Sequence, residues 1–236
     1  AYMWELLYIA SGLRLPIVMP NVNRALSAPI NIHCDHSDSM GARDAGWIQI
    51  FSENAQEAYD NTLQAIRIAE NPDILLPVMV LLDGFIISHA IERVEIIDND
   101  IVSKFVGDFN PTYSLLDSQN PVSVGTFDSL YGYFFEFKRQ QEEAMLNAFK
   151  VIKDVGKEFG EISGRHYGLF ESVGIEDAEF AIIATGSAAG TIRHLVEDMR
   201  SRGIPIGMIK LRVYRPFPAK ELAEAIVDNI IEQNKV

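Results

Sequence analysis

The run Leu76-Pro-Val-Met-Val-Leu-Leu-Asp-Gly constrains this chain more than any other stretch. Successive side chains of a strand point to opposite faces, so a strand wetted on one side alternates apolar and polar residues. This run does not alternate before Asp83. It predicts a strand covered on both faces, as in a parallel sheet flanked by helices. Pro77 fits at the first position, where a missing N–H does least harm.

The rest of the chain supplies the layers that such a strand needs. Met3–Leu13 predicts a helix ending near Gly12. Pro16–Val22 and Ile30–Cys34 are short apolar runs, predicted as strands. Asn54 followed by Glu57 is a capping-box-like start. Behind it Ala55, Ala58, Tyr59, Thr62, Leu63, Ile66 and Ala69 recur at helical spacing. Between about Asp98 and Tyr133 the periodicity is lost among Gly107, Pro111, Pro121, Gly125 and Gly132, which predicts an extended surface excursion. Lys138–Phe159 predicts a long amphipathic helix with Met145, Ala148, Phe149, Ile152 and Val155 on one face. Gly156, Gly160 and Gly164 then predict a linker. Beyond it come a strand at Phe180–Ala184 and a helix from Thr191 carrying Ile192, Leu195, Val196 and Met199. Gly203 is the expected stop of that helix. A strand at Ile206–Val213 and a helix from Glu221 follow. Strand–helix–strand order on both sides of the linker predicts two α/β units, residues 1–164 and 165–236, with the boundary within 160–174.

Charge and cysteine content exclude several functions. The formal charge is -13, from 20 basic and 33 acidic residues, and no basic stripe offsets it. Affinity for nucleic acid comes mainly from basic groups that displace counterions, so a nucleic-acid partner is not expected. An iron–sulfur cluster needs about four thiolates. Cys34, the single cysteine, cannot hold one and reads as a small buried apolar residue. The apolar run Ile74–Leu82 is far too short to span a bilayer. The opening Ala-Tyr-Met-Trp-Glu lacks a basic n-region, so no signal peptide is read and a cytoplasmic location is expected. The missing initiating methionine points to a fragment.

The densest polar cluster is His33-Cys-Asp-His-Ser-Asp-Ser-Met-Gly-Ala-Arg-Asp44, directly after a predicted strand. Ligands of parallel α/β sheets bind at the carboxyl ends of strands. A metal reading would use His33, Asp35, His36 and Asp38, at a spacing that matches no established motif. The simpler reading is a loop whose aspartates cap the following helix. Arg24 follows the strand ending at Val22. A guanidinium there could clamp a carboxylate with two hydrogen bonds, or it could be an ordinary surface arginine. Thr185-Gly-Ser-Ala-Ala-Gly-Thr is an incomplete dinucleotide fingerprint and reads as a tight βα turn. Asp83 reads as a turn cap. Ser88 and His89, adjacent on a helix, would point apart and form no dyad, and no nucleophile elbow is present.

Several blocks resemble the alpha subunit of pyruvate:ferredoxin oxidoreductases. They are Gly12-Leu-Arg-Leu-Pro-Ile-Val-Met, Asn21-Val-Asn-Arg-Ala-Leu-Ser-Ala-Pro and Asp35-His-Ser-Asp-Ser-Met-Gly-Ala-Arg-Asp-Ala-Gly-Trp. Asn54-Ala-Gln-Glu-Ala-Tyr-Asp, Leu82-Asp-Gly-Phe-Ile-Ile-Ser-His and Leu211-Arg-Val-Tyr-Arg-Pro-Phe-Pro continue the likeness to about Ala225. The resemblance implies a parallel-sheet, pyrimidine-binding thiamine-diphosphate domain followed by a transketolase C-terminal-like α/β domain. It implies oxidative decarboxylation of pyruvate to acetyl-CoA and CO2, with reduction of ferredoxin, in a multisubunit complex. Arg24 matches the arginine that meets the substrate carboxylate. Asp35, His36, Asp38 and Arg43 match a stretch close to the cofactor and the subunit interface.

The departures from the family are informative. The segments bearing the substrate-proximal threonine and the glutamate that activates the aminopyrimidine have no match here. The expected strand ending in Asp-Arg is replaced by Val227–Val236, which reads as helix. No Gly-Asp-Gly followed by asparagine is present to hold magnesium diphosphate. The resemblance therefore implies thiamine diphosphate with Mg2+ shared with a beta subunit, and iron–sulfur clusters in partner subunits only. Ferredoxin and coenzyme A would be reached through the complex. The alternatives are the same reaction on another 2-oxo acid, a nucleotide-binding dehydrogenase using Thr185–Thr191, and a non-catalytic scaffold subunit.

Overall fold

In the computed structural model, which describes residues 2–125, 127–129 and 131–227, the uninterrupted apolar run forms an inner strand. The elements in chain order are α1 (Tyr2–Gly12), β1 (Val18–Asn23), α2 (Ser37–Gly41), β2 (Ile48–Phe51), α3 (Ala55–Ala69), β3 (Val78–Asp83), α4 (Asn99–Val106), α5 (Phe134–Ser163), β4 (Phe170–Val173), β5 (Phe180–Ala184), α6 (Ala188–Ser201), β6 (Ile206–Leu211), β7 (Val213–Arg215) and α7 (Ala219–Ile226). The first sheet has the order β1-β3-β2-β7. β3 is parallel to both neighbours, and β7 is antiparallel to β2. Val78 and Val80 join Ile48 and Ile50 in a core under α3 and α5. Met79 and Leu81 join Phe51, Leu7, Ala10 and Trp47 in a second core on the other face. Both faces of β3 are thus dry, which is why its sequence does not alternate.

A second sheet has the order β4-β6-β5, with β5 parallel and β4 antiparallel to β6. Ala189 and Val196 of α6 pack on Ile206 and Met208, and Leu222 of α7 packs with Ile209 and Leu211. The strand expected over Ile206–Val213 is divided at Arg212. There the chain leaves the second sheet and enters the first as β7.

Other expectations are corrected. Ile30–Cys34 is not a strand; among the described residues its only ladder contact is a bridge from Asn31 to Ala25. Ile30 and Ile32 stay exposed because no neighbouring strand covers them. β2 was missed, since a four-residue strand leaves almost no periodic signal. The excursion from Asp98 contains α4, capped by the Asp98 side chain and seated by Phe105, whose ring lies 5.3 Å from that of Phe159. Gly156 and Gly160 are not linker residues but lie inside α5. A Cβ on Gly156 would come within 2.1 Å of the Tyr167 carbonyl oxygen, and one on Gly160 within 2.1 Å of His166 Nδ1. The glycines let the chain fold back tightly along its own helix. Only Gly164, left-handed at φ 72°, ends it. Of the helix expected over Val227–Val236, residues 228–236 lie outside the described residues.

The apolar repeat of α3 predicted a helix but not its buried side. Asn54 accepts from the Glu57 amide, as expected of a cap, while the Glu57 carboxylate reaches the amide of Glu53. Ala55, Ala58, Tyr59, Thr62, Leu63 and Ile66 are only half-buried, whereas Glu57, Asp60, Asn61 and Gln64 are buried. Their partners come from the second half of the chain. Asp60 accepts from Arg165 Nε at 2.6 Å, Arg165 Nη2 at 2.9 Å and the Tyr167 hydroxyl at 2.6 Å. Lys210 Nζ pairs with Glu57 and, at 2.6 Å, with Glu53. Arg212 donates to Asn61 Oδ1, Gln64 Oε1 and the Gly168 carbonyl. Burial lowers the pKa of Arg212 to about 10, so it enters the interior charged at neutral pH.

Removing one partner of a buried pair strands the other, at a cost of about 3–5 kcal/mol. Asp60→Ala is therefore expected to lower the unfolding free energy by that amount in urea titrations. Lys150→Ala, which breaks an exposed pair with Asp154, leaves the curve in place. Equal midpoints for Asp60→Ala and the parent would contradict this account.

Candidate functional site

The carboxyl ends of β1 and β3 lie side by side, with Asn23 in register with Asp83. Both side chains are buried, at 0% and 2% exposure. They serve as anchors for the polar loop and for α2. Asn23 Nδ2 donates to Asp38 Oδ1 at 2.7 Å and to Ser39 Oγ at 2.8 Å. The backbone N–H of Arg24 donates to Asp38 Oδ2 at 3.2 Å. The Arg24 side chain is exposed, with Nη1 donating to the Ala25 carbonyl at 3.0 Å. His36 Nε2 lies 2.8 Å from Asp83 Oδ1, and the ring packs 4.9 Å from that of Phe51.

The five residues singled out in the sequence separate into three groups. Arg24, His36 and Asp38 are gathered along the two strand ends. Asp35 is exposed and accepts from the Ser37 amide at 2.6 Å, one residue before the N-cap position, which His36 occupies. Arg43 lies past α2, paired at 3.5 Å with Asp44 and exposed. Asn23, Ser39 and Asp83 were not read as site residues. Asp83 carried a usable signal, because it is the first polar residue after a doubly covered strand, where ligands gather in α/β sheets.

Asp83 is the most heavily bonded of these groups. Its carboxylate bonds residues distant in sequence rather than capping its own turn. Its Oδ2 accepts from the Ser187 amide at 2.7 Å and from the Ser187 hydroxyl, at the start of α6. The helix end at Thr185–Thr191 therefore already faces a carboxylate from within the chain, as the tight-turn reading allowed. Burial alone would push the Asp83 pKa up. Hydrogen bonds from His36, Ser187 and Cys34 outweigh it and bring the value down to about 2. Cys34 is half-buried in polar company rather than an apolar filler: its Sγ is 3.5 Å from His36 Nε2. Burial, and then the Asp83 carboxylate, push this thiol up to about 12, so it stays protonated.

The suggested metal set is not assembled. His33 Nδ1 lies 3.1 Å from Asn31 Oδ1, and its ring is 4.8 Å from that of Phe85. Cys34, His36 and Asp83 do offer donor atoms within 4.8 Å of one another, a spacing open to a metal. The hydrogen bonds onto Asp83 account for this grouping without an ion. Ser88 Oγ and His89 Nδ1, expected to point apart, are 2.8 Å from each other because their segment is a turn and not a helix. Both are exposed, and Ser88 Oγ also accepts from the Phe85 amide. A cleft of about 660 Å3 lies elsewhere, between α1, residues 112–113, 122–125 and 127–128, and the start of α5, and is lined by none of the five residues.

Because the Asp83 pKa lies below the ordinary 3.8, its stabilising contribution is complete above about pH 4 and is lost as pH falls through 2. The shift corresponds to roughly 2 kcal/mol. The stability gap between the parent chain and Asp83→Asn is expected to narrow by that amount between pH 5 and pH 2 in denaturant titrations. A gap independent of pH would show that the carboxylate is not held in its charged form.

Comparison with known proteins identifies the family. Residues 1–157 match the family model described as pyruvate flavodoxin/ferredoxin oxidoreductase, thiamine-diphosphate-binding. Residues 178–235 match pyruvate:ferredoxin oxidoreductase core domain II. Pyruvate synthase subunit PorA of Thermotoga maritima is 54% identical over 226 residues, 96% of this chain and 57% of that protein. Ketoisovalerate oxidoreductase subunit VorA of Pyrococcus abyssi is 44% identical, over 95% of this chain and 56% of that protein. The chain thus spans little more than half the length of these relatives. A solved 2-oxoglutarate:ferredoxin oxidoreductase from Magnetococcus marinus superimposes with a TM-score of 0.67 over 97% of this chain and 42% of that one, at 15% identity. That likeness speaks for the fold alone. The chain belongs to the pyruvate flavodoxin/ferredoxin oxidoreductase family, through its thiamine-diphosphate-binding domain.

Proposed function

We propose that this chain is part of the alpha subunit of a pyruvate:ferredoxin oxidoreductase. The enzyme would convert pyruvate and coenzyme A to acetyl-CoA and CO2 and pass the electrons to ferredoxin. The carrying observation is the hydrogen bond from the Arg24 amide to Asp38, which draws two sequence segments into one strip. In a family whose model is thiamine-diphosphate-binding, that strip lies where α/β sheets bind ligands.

The residues present suit one end of the cofactor. Leu26, Ile30, Ile32, Phe85 and Ile86 are exposed apolar side chains on the segments that carry Arg24, His36 and Asp83. They would cover a flat ring such as the aminopyrimidine, with His36 and Asp38 as its polar neighbours. The diphosphate and its Mg2+ would be held by a beta subunit, because no Gly-Asp-Gly followed by asparagine occurs in this chain. Thiamine diphosphate, when bound, supplies the electron sink for decarboxylation. Arg24 would clamp the 2-oxo acid carboxylate through guanidinium donors that remain exposed. Iron–sulfur clusters would lie in partner subunits, since four thiolates cannot come from one cysteine. We read residues 1–164 as the pyrimidine-binding unit and 165–236 as the transketolase C-terminal-like unit. No helix among the described residues is long and apolar enough to cross a membrane.

A second reading, the same reaction on a branched-chain 2-oxo acid, is favoured by the ketoisovalerate oxidoreductase subunit at 44% identity. A panel of 2-oxo acids on the assembled complex separates the two. Arg24→Ala in that complex is expected to lower kcat/KM for pyruvate by about 30- to 1000-fold, from the loss of about 2–4 kcal/mol of charged hydrogen bonding. Normal kinetics in this variant would remove Arg24 from the site and favour a scaffold role.

A further inference from the structure

We infer that Asp83 and His36 form a carboxylate–imidazole dyad in which Asp83 is the positioning residue and His36 Nδ1 is the atom that exchanges a proton with a bound ligand. The inference rests on the reading of the His36 loop as part of the site. It goes further by giving that loop a chemical task.

The argument begins with proton inventory. A charged carboxylate can only accept hydrogen bonds, so the ring nitrogen 2.8 Å from Asp83 Oδ1 must carry a hydrogen. That nitrogen is Nε2. In the neutral ring the other nitrogen, Nδ1, then holds the lone pair, and no hydrogen bond to it is formed among the described residues. Proton gain and loss are thereby assigned to Nδ1, and the imidazolium that results is balanced by Asp83.

The carboxylate is itself immobilised. Asp83 closes a parallel strand in register with Asn23. Its second oxygen is held by the amide and hydroxyl of Ser187. Gly186, at φ 67°, makes room for it, since a Cβ there would lie 2.8 Å from both carboxylate oxygens. The Phe51 ring packs against the imidazole, tilted by 59° with centroids 4.9 Å apart. A proton-exchanging ring oriented by a third, fixed group is the arrangement that makes a side chain an effective acid or base. The matching ligand atom is an N–H or O–H donor. An anionic group would instead be met by Arg24.

Two readouts test the dyad separately from the family reaction. Nitrogen NMR of the full chain labelled at its 5 histidines reports the tautomer without any cofactor. His36→Gln identifies the His36 signal, and it also keeps a donor toward Asp83 while deleting the proton-accepting nitrogen. The parent is expected to show the Nε2–H form, and Asp83→Asn a mixed or inverted population. In the assembled complex His36→Gln is expected to lower kcat by about 100-fold or more with little change in KM, and Asp83→Glu to retain more turnover than Asp83→Asn. An Nδ1–H form in the parent, or undiminished kcat for His36→Gln, overturns the proposal. If the tautomer is as expected while Arg24→Ala leaves substrate kinetics untouched, the dyad stands and the carboxylate-clamp reading fails.

Discussion

The structure depends on a buried polar face of α3. Glu57, Asp60, Asn61 and Gln64 point inward, where an ordinary amphipathic helix would place leucine or valine. Beyond local bonds to Phe51, Ser52, Glu53 and Gln56, they are satisfied by Arg165, Tyr167, Lys210 and Arg212, which come from the far end of the sequence. A carboxylate or guanidinium left alone in the interior costs several kcal/mol, so the two sheets can meet in few other ways. Apolar surfaces alone would tolerate sliding; directional charged hydrogen bonds do not.

This registration reaches the site. Arg212, locked against α3, is the residue at which the chain crosses from the second sheet to the first, and β7 then pairs with β2. The same placement sets the start of α6 against the end of β3, so Ser187 meets Asp83. Asp83 in turn holds His36. The loop that carries the candidate chemistry is therefore positioned from two sides, by Asn23 of its neighbouring strand through Asp38 and by a helix from the second half of the chain through Asp83.

Much of the framework was legible in the residues. β3 showed itself as a doubly covered strand, α5 by its repeat of Met145, Ala148, Ile152 and Val155, and the Asn54 cap by its spacing to Glu57. The failures have physical causes. Gly156 and Gly160 look like breakers until Tyr167 and His166 are seen pressing on them. Ile30 and Ile32 look like strand residues, but no strand lies beside them. Ser88 and His89 were judged by helical geometry in a segment that is a turn.

The site divides in the same way. Sequence by itself determined the residue types, the strand-end position of Arg24 and the family resemblance, because these are local or are carried by contiguous blocks. Only the tertiary structure decided which side of α3 is buried, that Asp38 belongs with Asn23 and Arg24, that Arg43 stands apart, and that Asp83 answers to both His36 and Ser187. Those facts join residues as many as 153 positions apart. Periodicity records the face that one element presents, whereas a partner for a buried charge is chosen by the packing of two.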